Sequence, residues 1–136
     1  MTATTDVLSA FEKMKAPERI QWLNQEYGSR LVLSSSFGIQ AAVMLDLVSK
    51  HAPEIPIVWI DTGYLFPETY QYVEEIKQTL HLNLKEDQPL ITAARQEALH
   101  GKLWEQGEEG NAQYGLINKI EPMKRAPNEL NSDIRL

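Results

Sequence analysis

The chain has 136 residues, of which 43% are hydrophobic and 24% are charged. This length fits one domain, and this composition excludes collagen-like, low-complexity and mostly disordered chains. The 19 acidic and 13 basic residues give a net charge of −6, which excludes a broad cationic face for a nucleic acid polymer. The chain contains no cysteine, which excludes disulfides, thiolate metal sites, iron–sulfur clusters and a thiol nucleophile within it.

The hydropathy pattern gives no sign of a membrane or secretory segment. A membrane helix needs about 20 apolar residues, and no apolar run approaches that length. Residues 1–6 lack the basic and then apolar layout of a signal peptide. We therefore expect a cytoplasmic protein that works without a membrane.

Apolar residues at helical spacing predict two short helices within residues 4–27, the second ending near Gly28. Strand-like and helix-like segments then alternate. Short apolar runs predict strands over Leu31–Leu33, Ile55–Ile60 and Leu82–Leu84. Helical periodicity follows each strand, over residues 39–51, 67–80 and 91–99. This alternation predicts an α/β fold, with a parallel sheet and flanking helices.

The last third of the chain is harder to interpret. From His100 onward, glycines interrupt a polar stretch. A final helix is predicted over residues 117–130, broken up by Pro122 and Pro127. No closing element is recognisable at Arg135 and Leu136. The three histidines of the chain lack the spacing of metal ligands, so no metal site is predicted.

The turn after the first strand, Ser34–Gln40, is a candidate anion site. Free N–H groups at a helix start and serine hydroxyls donate to anions, and Gly38 lets a ligand approach the backbone. The alternative is a cluster of ordinary helix caps. The turn is not a GxxxxGK[ST] loop, because no lysine follows.

A second polar turn, Asp61–Thr69, follows the second strand. Asp61 is either a binding residue or a turn cap, and Tyr64 and Phe66 either flank a base or belong to the core. Because the carboxyl ends of parallel strands meet at one edge of a sheet, we expect the two turns to lie side by side, where ligands of such sheets bind.

Four strings occur in order: Ser34–Gln40, Asp61–Tyr70, Gly101–Gly107 and Asn118–Met123. From about Arg30 onward, the sequence closely resembles the phosphoadenylyl sulfate (PAPS) reductase family. The resemblance implies an adenine nucleotide α-hydrolase-like fold with a modified PP-loop. Residues 1–136 would form one domain, with N-terminal helices in residues 1–28 and the PP-loop core in residues 29–136.

The resemblance also implies an activity. Family members reduce PAPS to sulfite and adenosine 3′,5′-bisphosphate in assimilatory sulfate reduction, which serves cysteine biosynthesis. Thioredoxin or glutaredoxin is the external reductant, and the enzymes are commonly homodimers. Asp61, Thr62 and Gly63 would line the nucleotide pocket, and Lys119 and Arg125 match basic positions near the substrate anion. The serine-rich loop would hold the phosphosulfate group through Ser34, Ser35, Ser36, Phe37, Gly38 and Gln40.

The sequence departs from the family pattern at two points. Related adenylyl sulfate reductases hold a [4Fe–4S] cluster partly through a cysteine pair, and Tyr114 and Gly115 occupy the corresponding positions here. The cluster-free PAPS branch is therefore the better match, and no bound cofactor is expected. Family enzymes also carry a nucleophilic cysteine in a C-terminal E-C-G-L-H motif, which this sequence lacks. We therefore expect a substrate-binding part of a reductase with no catalytic residue of its own, incomplete at the C-terminus and inactive alone.

Two other functions remain open. One is a non-catalytic module that binds PAPS or adenosine 3′,5′-bisphosphate. The other is an adenylating PP-loop ATP pyrophosphatase. Those enzymes carry an S-G-G-x-D-S loop with a magnesium-binding acid, near whose position this sequence has Gln40.

Overall fold

The structure is a computed structural model that describes residues 2–136. Helices α1 (Thr2–Lys13) and α2 (Ala16–Tyr27) come first. Pro17 lies in the first turn of α2, and Gly28 follows its last residue with a φ of +52°, a conformation that favours glycine. These two residues explain where α2 begins and ends. Its Ile20, only 3% exposed, joins the main core.

A parallel sheet forms the centre of the molecule, as the sequence predicts. It contains β1 (Leu31–Ser34), β2 (Pro56–Ile60), β3 (Asn83–Asp87) and β4 (Ile134–Arg135). The spatial order is β3-β2-β1-β4, and every neighbouring pair is parallel. The confirmed fold class is therefore α/β, with helices flanking a parallel sheet.

Helices α3 (Ala41–His51), α4 (Pro67–Thr79) and α5 (Ala93–His100) follow β1, β2 and β3 in turn. The larger core lies between the sheet and helices α2, α3 and α4, and its members are buried apolar side chains. They include Leu31, Leu33, Leu45, Ile57, Trp59 and Val73.

The other face of the sheet is covered by the C-terminal helical segment. This consists of α6 (Gly107–Gly115), a π-helical stretch (Leu116–Ile120) and α7 (Glu121–Glu129), which follow one another without a break. A short 3-10 turn, Leu103–Glu105, precedes α6. The smaller core cluster joins Ala126 of α7 to Val32 and Val58 of the sheet.

The C-terminal third is more regular than the sequence indicates. The glycine-rich stretch after His100 is largely helical, and Pro122 and Pro127 do not stop α7. Pro122 lies in the first turn of α7, directly after the wider π-helical turns. A proline removes one helical N–H donor and crowds the preceding turn, so it is tolerated best in the first turn of a helix.

The end of the sequence carries no recognisable pattern, yet Ile134 and Arg135 form β4. Its Ile134 pairs with Leu31 of β1. The N–H of Asp133 donates to the carbonyl of Arg30 at 3.1 Å, and the Arg30 guanidinium donates to both Asp133 carboxylate oxygens at 2.8 and 2.7 Å. These bonds attach the strand to the start of β1. No helix within residues 2–136 is both long and apolar enough to cross a membrane.

Candidate functional site

A cavity of about 750 Å³ opens at the carboxyl ends of β1 and β2, beneath the π-helical stretch and α7. Ligands of parallel sheets bind at this edge, because loops from neighbouring strands converge there. Its lining residues are Ser34, Ser35, Ser36, Trp59, Ile60, Thr62, Leu65, Lys119, Ile120, Met123, Lys124 and Arg135.

The serine-rich loop forms one wall of this cavity. The N–H of Ser35 donates to the carbonyl of Val58 at 3.0 Å, which continues the β1–β2 pairing one residue beyond the strand. The Ser35 hydroxyl accepts the N–H of Phe37 at 3.1 Å. No side chain caps the start of α3 within the described residues. The N–H of Ala41, the first residue of α3, donates to the carbonyl of Gly38 at 2.9 Å. The loop thus leads into a helix N-terminus, the end of a helix at which anions are stabilised.

Phe37 attaches the loop to the hydrophobic core. Its φ of +56° is unusual for a residue with a side chain, and its ring is 2% exposed. The ring packs edge-to-face on Trp59 of β2 with a centroid distance of 5.7 Å. Beside this buried ring, Ser36 is exposed, and Ser34 and Ser35 are half-buried. Gly38 and Gln40, the other two predicted loop residues, are exposed and do not line the cavity.

The Asp61–Gly63 turn lies beside this loop, as the parallel sheet predicts, but Asp61 and Gly63 do not line the cavity. Thr62 lines the cavity, and its hydroxyl accepts the N–H of Tyr64 at 3.1 Å. Asp61 instead organises the turn, because its Oδ1 accepts the N–H of Gly63 at 2.9 Å and the hydroxyl of Tyr70 at 2.6 Å. Gly63 has a φ of +81°, which favours glycine.

The hydrogen bond between Tyr70 and Asp61 predicts that the stability of the fold depends on pH in the alkaline range. Burial, together with the bond to Asp61, raises the pKa of Tyr70 from 10.0 to about 12. Because the unfolded chain releases this proton at a lower pH, the contribution of Tyr70 to stability is complete below pH 10 and is lost towards pH 12. We expect the thermal midpoint of the wild type to fall more steeply over that interval than that of Tyr70→Phe. Melting curves recorded by circular dichroism measure both slopes, and equal slopes would contradict the prediction.

Three cations line the cavity, and no carboxylate does. Lys119 lies in the π-helical stretch, Lys124 in α7 and Arg135 in β4. None of the three forms an ion pair with another described residue. In a chain whose net charge is −6, this lining is locally cationic. It can attract and bind a small ligand that carries several negative charges.

Arg125, the other predicted basic site residue, lies outside this lining. Its guanidinium donates to Glu121 at 2.7 Å and to the carbonyl of Gln88 at 2.6 Å. Hydrogen bonding to Glu121 raises its pKa further above the usual value. In this structure Arg125 therefore joins α7 to the segment that follows β3.

A second cavity of about 520 Å³ adjoins the first and shares Lys119 with it. Its aromatic wall is a triangle of Tyr64, Trp104 and Tyr114, whose ring centroids lie 5.1 to 5.9 Å apart. Burial raises the pKa of the Tyr64 hydroxyl, which donates to the carbonyl of Ala93 at 3.2 Å. Within residues 2–136, no cluster of three or more acidic or histidine side chains could hold a metal ion.

Arg135 was not assigned to the site from the sequence. Lys119, Lys124 and Arg125 form a basic cluster in the sequence, which is either helix surface or within reach of an anionic ligand, and the sequence does not show which of the three side chains faces the cavity. Arg135 lies on a two-residue strand that carries no strand pattern. The apolar lining of Trp59, Ile60 and Met123 consists of ordinary core-type residues, which sequence alone cannot distinguish from the core.

Comparison with known proteins gives a consistent result. Residues 30–136 match the family model for the phosphoadenosine phosphosulfate reductase domain. The chain is 50% identical over 126 residues to a phosphoadenosine 5′-phosphosulfate reductase of Photobacterium profundum, covering 93% of this chain and 50% of the relative. It is 52% identical over 130 residues to one of Klebsiella pneumoniae, covering 96% and 53% respectively. The chain thus spans about half the length of the curated relatives it matches.

A solved structure shares the fold. The crystal structure of phosphoadenylyl-sulfate reductase from Candida auris, in a phosphate complex, superposes with a TM-score of 0.78 at 26% sequence identity. The match covers 96% of this chain and 64% of that one.

Proposed function

We infer the function from the premise that the chain belongs to the phosphoadenosine phosphosulfate reductase domain family, whose model matches residues 30–136. The chain binds PAPS, and its reaction product adenosine 3′,5′-bisphosphate, in the cavity of about 750 Å³. One observation carries this proposal. The chain has a net charge of −6, yet the cavity is lined by the serine-rich loop and by three cationic side chains that form no ion pair with a described residue, and no carboxylate is among the lining side chains.

The cavity suits both parts of such a nucleotide. Ile60, Leu65 and Met123 provide an apolar surface for the adenine base. The hydroxyls of Ser34–Ser36 and the Lys119 ammonium provide donors for the phosphosulfate oxygens. Lys119 would stabilise the negative charge that grows on the departing 5′-phosphate.

The complete reaction needs a thiolate that this chain does not contain. In the proposed sequence, a cysteine thiolate attacks the sulfonyl sulfur and the bond from sulfur to the bridging phosphate oxygen breaks. Adenosine 3′,5′-bisphosphate leaves with that bonding pair, and an S-sulfocysteine forms. A thiolate of reduced thioredoxin or glutaredoxin then attacks the cysteine sulfur and releases sulfite. This leaves a mixed disulfide between the reductant and the protein. The second thiol of the reductant attacks it, forms the reductant's internal disulfide and releases the cysteine of the protein as a thiolate.

We accordingly propose that the chain supplies substrate binding to a cytoplasmic PAPS reductase, assembled as a homodimer, and that a cysteine outside this sequence supplies the nucleophile. The family membership and the absence of cysteine support this division. Incubated with PAPS and reduced thioredoxin, the chain alone should release no sulfite. A chain continued through the E-C-G-L-H segment should release it, and its Cys→Ser variant should not. Sulfite release by the chain alone would disprove this division.

Calorimetric titration with adenosine 3′,5′-bisphosphate tests binding directly. We expect one ligand per chain, with an affinity that falls as salt is added, because screening weakens charge contacts. Circular dichroism first establishes that the sample is folded. A folded chain that binds no bisphosphate would overturn the proposed function.

Serine variants locate the binding site. Ser36→Ala removes an exposed loop hydroxyl, and we expect roughly a tenfold loss of affinity with an unchanged thermal midpoint, because a hydrogen bond to a charged group contributes about 1.5–3 kcal/mol. Ser35→Ala should lower both the affinity and the thermal midpoint, since the Ser35 hydroxyl also accepts the N–H of Phe37. The matched control is Ser9→Ala on exposed α1, which should leave both unchanged. Equal affinities for the Ser9 and Ser36 variants would contradict the assignment.

A further inference from the structure

The π-helical stretch Leu116–Ile120 sets which side of the C-terminal helical segment faces the body of the protein. In an α-helix, a residue four positions further along lies about 40° further around the axis, so a row of every fourth residue winds away from one face. The segment nevertheless buries residues four or eight positions apart, namely Gly110, Asn118, Pro122 and Ala126. The wider π-helical turn, whose backbone bonds reach five residues instead of four, compensates for this winding.

The residues that line the two cavities show the same change of register. On α6, Asn111, Tyr114 and Gly115 line the second cavity at helical spacing. Continued at that spacing, the row predicts position 118 as its next member. Instead Lys119 lines both cavities, whereas Asn118 lines neither and is 1% exposed. The π-helical stretch therefore places the lysine, one residue later, where the two cavities meet.

Asn118, the middle residue of this stretch, makes a hydrogen bond across the start of the widened turn. Its Nδ2 donates to the carbonyl of Tyr114 at 3.0 Å. A side-chain bond to a carbonyl four residues earlier competes with the regular α-helical bond and favours a local change in the helix. The N–H of Glu121 then donates to the carbonyl of Leu116, five residues earlier, which is the π-helical pattern. The Asn118 bond thus spans the residues at which the helix changes from α to π.

The other polar atom of the Asn118 amide indicates that the donor is what this position requires. Oδ1 is buried and has no hydrogen-bond partner among the described residues. A buried acceptor without a partner costs free energy, and an apolar side chain of similar size would avoid that cost. The bond from Nδ2 is the feature of Asn118 that an apolar side chain cannot supply.

We propose that Asn118 is a positioning residue: its bond to the Tyr114 carbonyl holds the π-helical turn, and that turn presents the Lys119 ammonium at the junction of the two cavities. Without the bond, the segment returns towards α-helical register, and a shift of one residue turns a side chain by about 100° around the axis. Lys119 would then point away from the junction. The inference rests on the proposed function, which assigns Lys119 to the 5′ group, and Asn118 itself lines neither cavity.

Two variants of equal shape separate the donor from the volume of the side chain. Asn118→Thr keeps a hydroxyl that can donate to the carbonyl four residues earlier, whereas Asn118→Val has a methyl group in its place. Both side chains are β-branched, so their helix preferences are similar. In calorimetry with adenosine 3′,5′-bisphosphate, we expect Asn118→Val to bind roughly tenfold more weakly than the wild type and Asn118→Thr to stay within about threefold of it.

A double-mutant cycle with Lys119→Ala shows whether Asn118 acts through the lysine. In the Lys119→Ala background, Asn118→Val and Asn118→Thr should bind the bisphosphate equally within about twofold, because no ammonium remains to be positioned. A merely structural role would weaken binding in both backgrounds. The matched control is Asn128, which is exposed on α7 and lines neither cavity. Asn128→Val and Asn128→Thr should both bind like the wild type, within about twofold.

Thermal melts confirm that each variant is folded, and if Asn118→Val does not fold, Asn118→Ala and Asn118→Ser give the same donor contrast. Equal affinities for the two Asn118 variants beside an intact Lys119 would show that the donor has no role. A loss for Asn118→Val that persists in Lys119→Ala would show that Asn118 affects the cavity by another route. Either result overturns this inference and leaves the proposed function in place, because the wild type still binds. A folded wild type that binds no bisphosphate overturns both.

Discussion

Alanine at Gly110 is expected to destabilise the protein, whereas the same change at Gly115, five residues later in α6, is expected to stabilise it slightly. The two glycines lie on one helix and differ in what surrounds them. The contrast tests the packing of the C-terminal helical segment, on which the position of Lys119 depends.

Gly110 is buried where α6 crosses the 3-10 turn Leu103–Glu105. A Cβ atom there would overlap the carbonyl oxygen of Leu103 and would lie 2.7 Å from Cβ of Gln106. Both neighbours are held close to the backbone, so the turn itself must move. We expect Gly110→Ala to cost about 1–3 kcal/mol, as in other overpacked sites. At roughly 4 °C per kcal/mol for a domain of this size, thermal melting detects the loss.

Gly115 is the matched control. It has helical backbone angles, φ −60° and ψ −42°, and a Cβ atom would meet nothing within 4 Å. Since glycine costs a helix interior about 0.5–1 kcal/mol relative to alanine, Gly115→Ala should raise the thermal midpoint. Equal losses for both variants would contradict the close contact between α6 and the turn. That turn carries Trp104 of the aromatic cavity.

The sheet and one edge of the site follow from the sequence, because both depend on local patterns. The buried strands Leu31–Leu33 and Ile55–Ile60 are continuous apolar runs, and the turns after them are polar. Parallel pairing then requires these turns to be neighbours. The structure accordingly places Ser34–Ser36 and Thr62 in one cavity.

The features that the sequence did not predict depend on contacts between residues distant in the chain or on the direction of a side chain. Strand β4 consists of two residues and pairs with residues about a hundred positions earlier, so no local pattern marks it or Arg135. Gly110 resembles a helix breaker in the sequence, yet its role is to allow two backbones to approach. Phe37 lies in a loop that resembles a ligand loop, but its positive φ turns the ring into the core.

Lys119→Ala is expected to weaken both adenosine 3′,5′-bisphosphate and adenosine 5′-monophosphate by roughly 10- to 100-fold, the loss of one charge-assisted hydrogen bond of about 1.5–3 kcal/mol. Lys119 lies within the π-helical stretch and lines both cavities, so its ammonium serves the 5′ group that the two nucleotides share. Calorimetric titration of each nucleotide into the wild type and into Lys119→Ala gives the four dissociation constants that test this.

Two controls define how the Lys119 result is interpreted. Lys102→Ala removes an exposed lysine that lines neither cavity and should leave both affinities within about twofold, since exposed distant charges are screened. Lys119→Arg keeps the charge on a longer and planar group, so it should retain more affinity than alanine. If Lys119→Ala weakens only the bisphosphate, Lys119 binds the 3′-phosphate and not the 5′ group. If it weakens neither nucleotide, the ligand does not occupy the junction of the two cavities.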